Sequence, residues 1–415
     1  MLLSRRRLFT YGAVIAAAGI GAGIAWNRRS SFLTPSFEEL VTDPDGVLDL
    51  PPGFTYRILE QAGDTMTDGR PVPALPDGMG CFDGGLEHLI LMRNHEINNG
   101  RAADQALAYD ANQGGGVTRV VIDKRTGQRL SSNLILTGTS RNCAGGPSPW
   151  GWLSCEETEE PGHGFVFLCD PTAASLHPSH PLPGLGRFKH EAATVDQKTS
   201  TIYLSEDHRD GLIYRHVPKD RTTPFSGQLE ALKVRGRNRA LLSDNQKIGN
   251  NFDVEWVPIT DPKATTTSTR EQGRQLGAAM LSRGEGIWCS GDEVFIASTD
   301  GGPESLGQVY RLDIGRKGNI DRLTLIVQSE SRGVLDSPDN LVVSPTGHLF
   351  IAEDGSAPNL IRVMNKNGRL TPFARNALDD GESEFAGPCF SPDGRWLFVN
   401  LQKAGLTLAI NGPFA

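Results

Sequence analysis

The sequence predicts an all-β protein built as a six-bladed β-propeller, and three observations support this fold class. The chain of 415 residues contains 48 Gly and 26 Pro with 38% hydrophobic residues, which is typical of many short strands joined by tight turns. Two hairpin segments, SPTGHLFIAEDG at 344–355 and SPDGRWLFVNLQ at 391–402, are near copies. Similar units recur at intervals of about fifty residues, a period that indicates propeller blades.

Six such units can be placed along the chain. In each, a turn leads into a short apolar strand, a polar hairpin follows, and a second apolar strand ends in acidic or amide residues. The units are 77–96, 142–157, 189–207, 283–300, 336–355 and 385–402. The wide gap between the third and fourth units holds the polar stretch DPKATTTSTREQGRQ, which indicates an insertion or an exposed loop. The segment NFDVEWVP at 251–258 is alternatively part of a further blade, which leaves the blade count open by one.

The propeller geometry predicts an active site at one mouth of the central channel. The innermost strand of each blade begins at the axis on one face, and the second strand ends on that same face. Residues flanking these strands therefore converge, and many are carboxylates. The converging residues are Asn94, His95, Glu96, Asn142, Cys143, Glu156, Glu157, His190, Glu191, Glu206, Asp207, Arg283, Glu285, Asp300, Asp339, Asn340, Glu353, Asp354 and Gln402. Because so many carboxylates repel one another, we expect cations between them; a solvated acidic funnel is the alternative.

Cys143 is the candidate ligand for a transition metal. It lies between Asn142 and the small residues Ala-Gly-Gly, so little bulk shields it, and a thiolate is a soft ligand. The alternatives are a buried structural thiol and a Cys143–Cys155 disulfide; the other cysteines lie in apolar contexts typical of buried free thiols. Of the two acids that close the second unit, we prefer Glu157 to Glu156 as the axial residue, since neighbours on a strand point in opposite directions.

Further candidates come from the other units. Glu191 opens the third unit as a candidate ligand. In the fourth, the spacing of Arg283 and Glu285 suits an arginine on an anionic substrate oxygen beside a glutamate on a metal, with a simple ion pair as the alternative. Asp354 closes the fifth unit as a candidate ligand, whereas Asp336 is expected to cap a turn. Glu96 is preferred to His95 at the end of the first unit.

The first thirty residues are interpreted as an export signal rather than as part of the fold. A twin arginine in SRRRLF precedes a weakly hydrophobic segment at 13–26, as in twin-arginine signals, although a plain basic anchor helix is the alternative. We therefore expect residues 1–30 to be a signal or a retained membrane anchor and 31–415 to be a single propeller domain. The expected location is the periplasm or the outer surface of a bacterium. The net charge of -8 argues against nucleic acid as a partner, and a monomer is expected.

These motifs together resemble the PhoX family of bacterial alkaline phosphatases. The resemblance rests on the leader and on GDTMTDG, PDGM, RNHE, NCAGG-x-x-PWG-x-LSCEE, GRFKHEAA, RGEG, DSPDN, AEDG and GPCFSPDG, in this order from about residue 63 to 400. It implies a six-bladed propeller that hydrolyses phosphate esters with Fe³⁺ and Ca²⁺. By the same resemblance, Cys143, Glu191 and Glu285 are iron ligands, Glu157 is a calcium ligand, and Arg283 binds phosphate. The acidic pair before Gly355 corresponds to Glu353 and Asp354.

The favoured function is therefore a secreted, metal-dependent phosphatase. It would hydrolyse phosphate monoesters by attack of a metal-bound oxide or hydroxide, after passage through the twin-arginine translocase. The predicted catalytic residues are Arg283, Cys143, Glu191 and Glu285, and the predicted metal ligands are Cys143, Glu157, Glu191, Glu285, Asp354 and Glu96. One alternative is a calcium-dependent hydrolase of the lactonase or gluconolactonase type, which gives Cys143 and Arg283 no task. Another is a non-catalytic envelope propeller that binds no transition metal.

Overall fold

Six antiparallel blades stand around a common axis in the computed structural model, which describes residues 39–244 and 246–414. Blades one to three comprise β3 (Pro76–Asp83), β4 (His88–His95), β5 (Gly115–Asp123) and β6 (Arg129–Thr139); β7 (Asn142–Ser148), β8 (Gly151–Glu156) and β9 (Val166–Cys169); and β10 (His190–Asp196), β11 (Thr201–Glu206), β12 (Ile213–Pro218) and β13 (Gly227–Val234). Blades four to six comprise β15 (Gly284–Ser290), β16 (Glu293–Ser298), β17 (Gln308–Asp313) and β18 (Asp321–Gln328); β19 (Pro338–Val343), β20 (Leu349–Glu353), β21 (Leu360–Met364) and β22 (Leu370–Asn376); and β23 (Phe385–Phe390), β24 (Trp396–Leu401) and β25 (Leu406–Asn411).

The first strand of each blade lies at the axis and is called the inner strand here. In the described part of the chain, the inner strands β3, β7, β10, β15, β19 and β23 pack each against the next, and β23 packs against β3. The ring is therefore closed, and the predicted all-β propeller is confirmed. The two near-copy hairpins have the same turn, in which Gly347 and Gly394 adopt positive φ and donate to the carbonyls of Ser344 and Ser391 at 2.8 Å.

The N-terminal strands complete the last two blades. Strand β2 (Thr55–Gln61) pairs with β25 along the outer edge of blade six, and β1 (Leu48–Asp49) pairs with β22 of blade five. Blade six therefore consists of one strand from the N-terminal end of the propeller, β2, and three strands from its C-terminal end, β23 to β25. A buried ion pair supports this closure: Arg93 Nη2 of blade one lies 2.7 Å from Glu60 Oε2 on β2.

The segment between the third and fourth units joins two blades at their outer edges. Strand β14 (Asn251–Pro258) pairs with β13 on one side and β18 on the other, so blades three and four form one nine-stranded sheet. The alternative of a separate blade around 251–258 is therefore wrong, because this strand has no inner partner at the axis. The polar stretch beyond it includes a short helix, Thr269–Gln275, capped by the Ser268 hydroxyl. Short 3-10 turns lie at Pro183–Leu185 and Leu378–Gly381.

Apolar side chains fill the spaces between blades. Phe54, Phe350, Phe373 and Leu397 belong to a buried cluster that joins blades five and six. All six cysteines are free thiols, so the Cys143–Cys155 disulfide is not formed, and Cys155 is fully buried in an apolar cluster. Within the described residues, no helix has the length and hydropathy needed to cross a membrane. The signal assigned to residues 1–30 lies outside the described residues.

Candidate active site

Every inner strand has a β-bulge near its start, after the first residue in blades one to five and after the second residue in blade six. In blade two, Asn142 pairs with Glu156 but Gly145 pairs with Ser154, so β7 accommodates one extra residue at Cys143 and Ala144. The same one-residue shift occurs at the start of each of the other five inner strands. A bulge re-aims a side chain. The first bulged residues are Asp77, Cys143, Glu191, Glu285, Asp339 and Gly387.

A second ring of residues follows the second strands. Each donates its backbone N–H to the carbonyl of the residue just before the inner strand of its own blade, at 2.9 to 3.3 Å. This bond fixes the end of the second strand beside the bulge. The ring consists of Glu96, Glu157, Asp207, Thr299, Asp354 and Gln402, and their acceptors are the carbonyls of Leu75, Arg141, Lys189, Arg283, Ser337 and Glu384.

These positions line one cavity of about 320 Å³ at the channel mouth. Its wall contains nine carboxylates, one thiol and three cations: Asp77, Glu96, Glu157, Glu191, Asp207, Glu285, Asp339, Asp354, Glu384, Cys143, Arg141, Lys189 and Arg283, with Thr299 and Gln402. Deeper along the axis the channel is narrow and apolar, lined by Met79, Trp152, Ile287, Trp288 and Leu341 among others. Close packing there requires small residues: a Cβ on Gly286 would lie 2.5 Å from the Asp339 carbonyl oxygen.

The three cations alternate with carboxylates around one side of the cavity. Arg141 Nη2 lies 2.9 Å from Glu96 Oε1 and 2.8 Å from Glu157 Oε2. Lys189 Nζ lies 2.8 Å from the other oxygen of Glu157 and 3.5 Å from Asp207 Oδ2. Arg283 then joins Asp207, at 2.9 Å from Nε to Oδ1, to Glu285, at 2.9 Å from Nη2 to Oε1. We call Arg141, Lys189 and Arg283 the cation arc.

Burial and mutual repulsion make most of these carboxylates reluctant to ionise without further cations. Burial first, and then the charge of Glu96, raises the pKa of Asp77 to about 8. Burial and neighbouring acids likewise raise the pKa values of Glu191, Glu285 and Asp339 well above the usual carboxylate range. Burial raises the pKa of Glu384 to about 9, with Asp354 beside it. Three protein cations therefore do not balance the cavity, and bound metal cations would favour the ionised forms.

Three overlapping groups have ligand atoms within 4.8 Å of one another: Asp77, Glu96 and Cys143; Cys143, Glu157 and Glu191; and Glu191, Glu285 and Asp339. Cys143 Sγ lies 3.4 Å from Glu191 Oε1 and 3.8 Å from Asp77 Oδ2. Asp77 Oδ1 is buried and has no hydrogen-bond partner among the described residues, which fits a ligand oxygen. The groups with the thiol suit a transition metal, and the all-oxygen group suits a hard cation such as Ca²⁺.

All seven residues selected from the sequence lie on this cavity: Glu96, Cys143, Glu157, Glu191, Arg283, Glu285 and Asp354. Their roles as ligands or catalytic groups stay predictions. Arg283 and Glu285 form the ion pair that the sequence offers as an alternative to substrate and metal binding. The Arg283 side chain is also 39% exposed, so it remains accessible from the cavity mouth.

The acids next to the cavity residues have structural contacts. Glu156 accepts hydrogen bonds from the backbone N–H groups of Ser140 and Gly164, and Glu353 accepts from Arg362. The preference for Glu157 over Glu156 therefore agrees with their positions. His95 is fully buried against Ala74 and Thr118.

Six further charged residues line the cavity that the sequence does not predict as catalytic residues or metal ligands: Asp77, Asp207, Asp339, Glu384, Arg141 and Lys189. Asp77 and Asp339 occupy the same bulge position as Cys143, Glu191 and Glu285. An alignment of the six units on the bulge, rather than on the hairpin turn, adds Asp77 to the residues expected at the mouth, where Asp339 is already expected. Arg141 and Glu384 directly precede the inner strand of their blades, as the predicted phosphate-binding residue Arg283 does.

Fold and site together define a class of protein: a β-propeller whose axial cavity, lined by carboxylates and one thiol, suits metal-dependent hydrolysis. The family described as alkaline phosphatase PhoX matches residues 35–405. The chain therefore belongs to the PhoX alkaline phosphatase family and is a metal-dependent phosphoric ester hydrolase.

Two solved structures illustrate the similarity. PhoX from Pseudomonas fluorescens, in complex with the transition-state analogue vanadate, has a TM-score of 0.72 and 18% identity, over 91% of this chain and 98% of that chain. A gluconolactonase from Xanthomonas campestris has a TM-score of 0.52 and 11% identity, over 91% and 99%. At these identities both likenesses show the shared fold alone. No curated protein sequence matches the chain.

Proposed function

We propose that this cavity hydrolyses phosphate monoesters with iron and calcium ions held by the bulge residues and the second ring. The observation that carries the proposal is the convergence of the Cys143 thiol with carboxylates in three overlapping ligand groups. Iron would be held by Cys143 with Glu191 and its neighbours, and calcium by the all-oxygen group of Glu191, Glu285 and Asp339. When bound, these ions neutralise phosphoryl oxygens and activate the attacking oxygen.

The side chains themselves position the ester. Asp207 and Glu285 accept hydrogen bonds from Nε and Nη2 of Arg283, which leaves Nη1 to donate to a phosphoryl oxygen. The pKa of Asp207 is lower than the usual value for an aspartate. Burial alone would raise this pKa, but the hydrogen bond and charge of Arg283, together with the charge of Lys189, have the larger effect. Asp207 therefore stays ionised and holds the arginine in place. The positive charge of Arg283 would stabilise the negative charge on the phosphoryl oxygens in the transition state, as the ester bond breaks.

Elemental analysis with an assay of phosphomonoesters tests this proposal. The full chain is purified without chelators from a host with a functional twin-arginine pathway. We expect iron and calcium in stoichiometric amounts, and phosphatase activity that is lost on chelation and restored by both metals. Calcium without iron, together with lactone hydrolysis and no phosphatase activity, would contradict the proposal and favour the gluconolactonase-type alternative.

We also propose that the protein is exported through the twin-arginine pathway to the periplasm or cell surface. The support is the SRRRLF sequence before the weakly hydrophobic segment at 13–26. Replacing Arg5, Arg6 and Arg7 by lysine should shift phosphatase activity from the periplasmic or membrane fraction to the cytoplasm. Unchanged fractionation of this variant, with a cytoplasmic marker enzyme as the control, would contradict the proposal.

A further inference from the structure

Behind the cavity, three blades have a buried glutamate directly before their residue of the second ring. Each glutamate is at most 2% exposed and is paired with a basic side chain. In blades two and five the basic side chain belongs to the same blade, whereas in blade three it belongs to the helix Thr269–Gln275 of the insertion. The glutamates are Glu156, Glu206 and Glu353, and their partners are His163, Arg270 and Arg362.

Arg270 of the insertion helix contacts three carboxylates on three segments around the cavity. Its Nη1 pairs with Glu206 Oε1 and lies 3.4 Å from Glu159 Oε1, and its Nε lies 3.4 Å from Asp210 Oδ1. Glu206 ends the second strand of blade three, and Asp210 lies in the loop that follows it. Glu159 lies in the loop after the second strand of blade two. The Arg270 side chain is 13% exposed, so these contacts are largely shielded from water.

The chain that follows Glu206 holds Arg283 of the cation arc. The next residue, Asp207, accepts hydrogen bonds from Nε and Nη2 of Arg283 at 2.9 and 3.3 Å. The carbonyl of His208 accepts from the backbone N–H of Arg283 at 2.8 Å, and His208 Nδ1 lies 2.5 Å from Asp210 Oδ1. A displacement of this segment therefore moves both the carboxylate that orients the guanidinium and the carbonyl that holds its backbone.

The insertion helix packs tightly on blade three and holds its arginine in a fixed place. A Cβ on Gly273 would lie 2.7 Å from Leu212 Cδ1 of the blade. Thr269 Oγ1 lies 3.1 Å from the Tyr214 hydroxyl, which donates to Glu206 Oε2 at 3.1 Å. The helix thus contacts the same glutamate through Tyr214 as well as through its arginine.

The charge of Arg270 favours the ionised form of Glu206. Burial raises the pKa of Glu206 to about 7, although the charge of Arg270 lowers it. Without the arginine, a buried carboxylate would lose its counter-charge, which is strongly unfavourable. The carboxylate would then take up a proton or move toward water, and either change disturbs the peptide group that Glu206 shares with Asp207.

We propose that Arg270 is a positioning residue of the active site: by pairing with Glu206 behind the cavity, it fixes Asp207 and thereby the direction in which Arg283 presents its free donor. This inference rests on the proposed phosphatase function, in which Arg283 binds a phosphoryl oxygen. It gives the insertion helix a task in catalysis, although no residue of the helix lines the cavity. A misplacement of about 1 Å in such a group lowers a rate by up to about 100-fold.

Kinetic assays of Arg270→Met with p-nitrophenyl phosphate test the proposal. We expect kcat/KM to fall about 10- to 100-fold, with the larger part in KM, because the guanidinium no longer meets the phosphoryl oxygen. The inhibition constant of inorganic phosphate should rise with KM. Arg270→Lys restores the charge opposite Glu206 and should recover most of kcat/KM. Iron and calcium should be retained, since Arg270 contacts none of the predicted ligands.

Arg215→Met is the matched control. Arg215 lies in the same blade and pairs with Glu230 and Asp321, and none of these residues lines the cavity. Both variants lose an arginine with more than one carboxylate partner, so both should lower the free energy of unfolding, whereas only Arg270→Met should change KM and phosphate inhibition. Equal kinetic changes in the two variants, unchanged kinetics in Arg270→Met, or loss of metal from it would overturn the proposal.

Two further measurements separate the positioning role from folding and from the proposed function. If Arg270→Met does not fold, Glu206→Gln, which removes the charge that Arg270 binds, is measured in the same way with the same expected changes. If the unmodified protein hydrolyses no phosphate ester, the proposed function fails, and crystal structures of the unmodified protein and Arg270→Met decide the positioning role. Loss of the 2.9 Å contact between Asp207 and Arg283 in the variant supports it, and retention of this contact overturns it.

Discussion

Replacing Cys143 by serine removes iron from the protein and lowers its phosphatase activity at least about 100-fold, if the thiol is the soft ligand of the cavity. Serine is similar in size, but its hydroxyl is a poor ligand for a transition metal at neutral pH. The thiol contributes to two of the three ligand groups, so its loss affects both. The third group, Glu191, Glu285 and Asp339, contains no sulfur, and calcium bound there should be retained.

The measurement is elemental analysis of Cys143→Ser beside the unmodified protein, followed by the phosphomonoester assay. Cys289→Ser is the matched control, because Cys289 is a partly buried free thiol that does not line the cavity. That variant should keep both metals and its activity. Full iron content and full activity in Cys143→Ser would show that the thiol is a packing residue and that the iron assignment is wrong.

Replacing Glu60 by glutamine should lower the free energy of unfolding by about 3–5 kcal/mol, because it leaves the Arg93 charge buried without its partner. The Arg93 and Glu60 side chains are 1% and 0% exposed. Arg93 also donates to Thr118 and Thr407, and Glu60 accepts from Arg129. The pKa of Glu60 is lower than the usual value for a glutamate, so the carboxylate is charged at neutral pH. Burial alone would raise this pKa, but the effects of Arg93, Ser132 and Arg129 are larger.

Chemical unfolding of Glu60→Gln, Arg93→Met and the double variant measures this effect. The double variant should be less destabilised than the sum of the single ones, since it removes both buried charges. Asp253→Asn is the control, because its ion pair with Arg322 is exposed and should contribute at most about 1 kcal/mol. A loss below about 1 kcal/mol in Glu60→Gln would show that this pair does not hold the ring closed.

The motif RNHE shows how much of the site a linear pattern can predict. The sequence predicts Glu96 at the mouth because this residue ends the first unit, and Glu96 lines the cavity. Asn94, however, is buried, and its amide donates to the carbonyls of Cys143 and Ala144 at 2.8 and 2.7 Å. It thereby fixes the bulge that presents the thiol. Such a contact joins two blades, so no spacing within one unit could predict it.

Other features escaped the sequence for related physical reasons. The hairpins were predictable because turn residues and alternating apolar residues act locally. The bulge is a mismatch between two paired strands, and it becomes visible only when the register is known. Pairing of β2 with β25 joins segments at opposite ends of the propeller, and the role of β14 depends on the edge of a neighbouring blade. The sequence pattern therefore does not predict Asp77, although a carboxylate suits its position at the bulge.

The closure of the ring by β2 has a consequence for the order of events during biosynthesis. The cavity takes side chains from blade one, at Asp77, to blade six, at Gln402, and blade six is completed by the pairing of β2 with β25 at Leu406–Asn411. A chain that still lacks β25 contains every lining residue of the cavity, but its β2 has no strand through which to join β24, so blade six is incomplete. We therefore expect stable metal binding to require β25, and a chain cut shortly before this strand to bind metal less tightly because blade six cannot hold its side of the cavity in place.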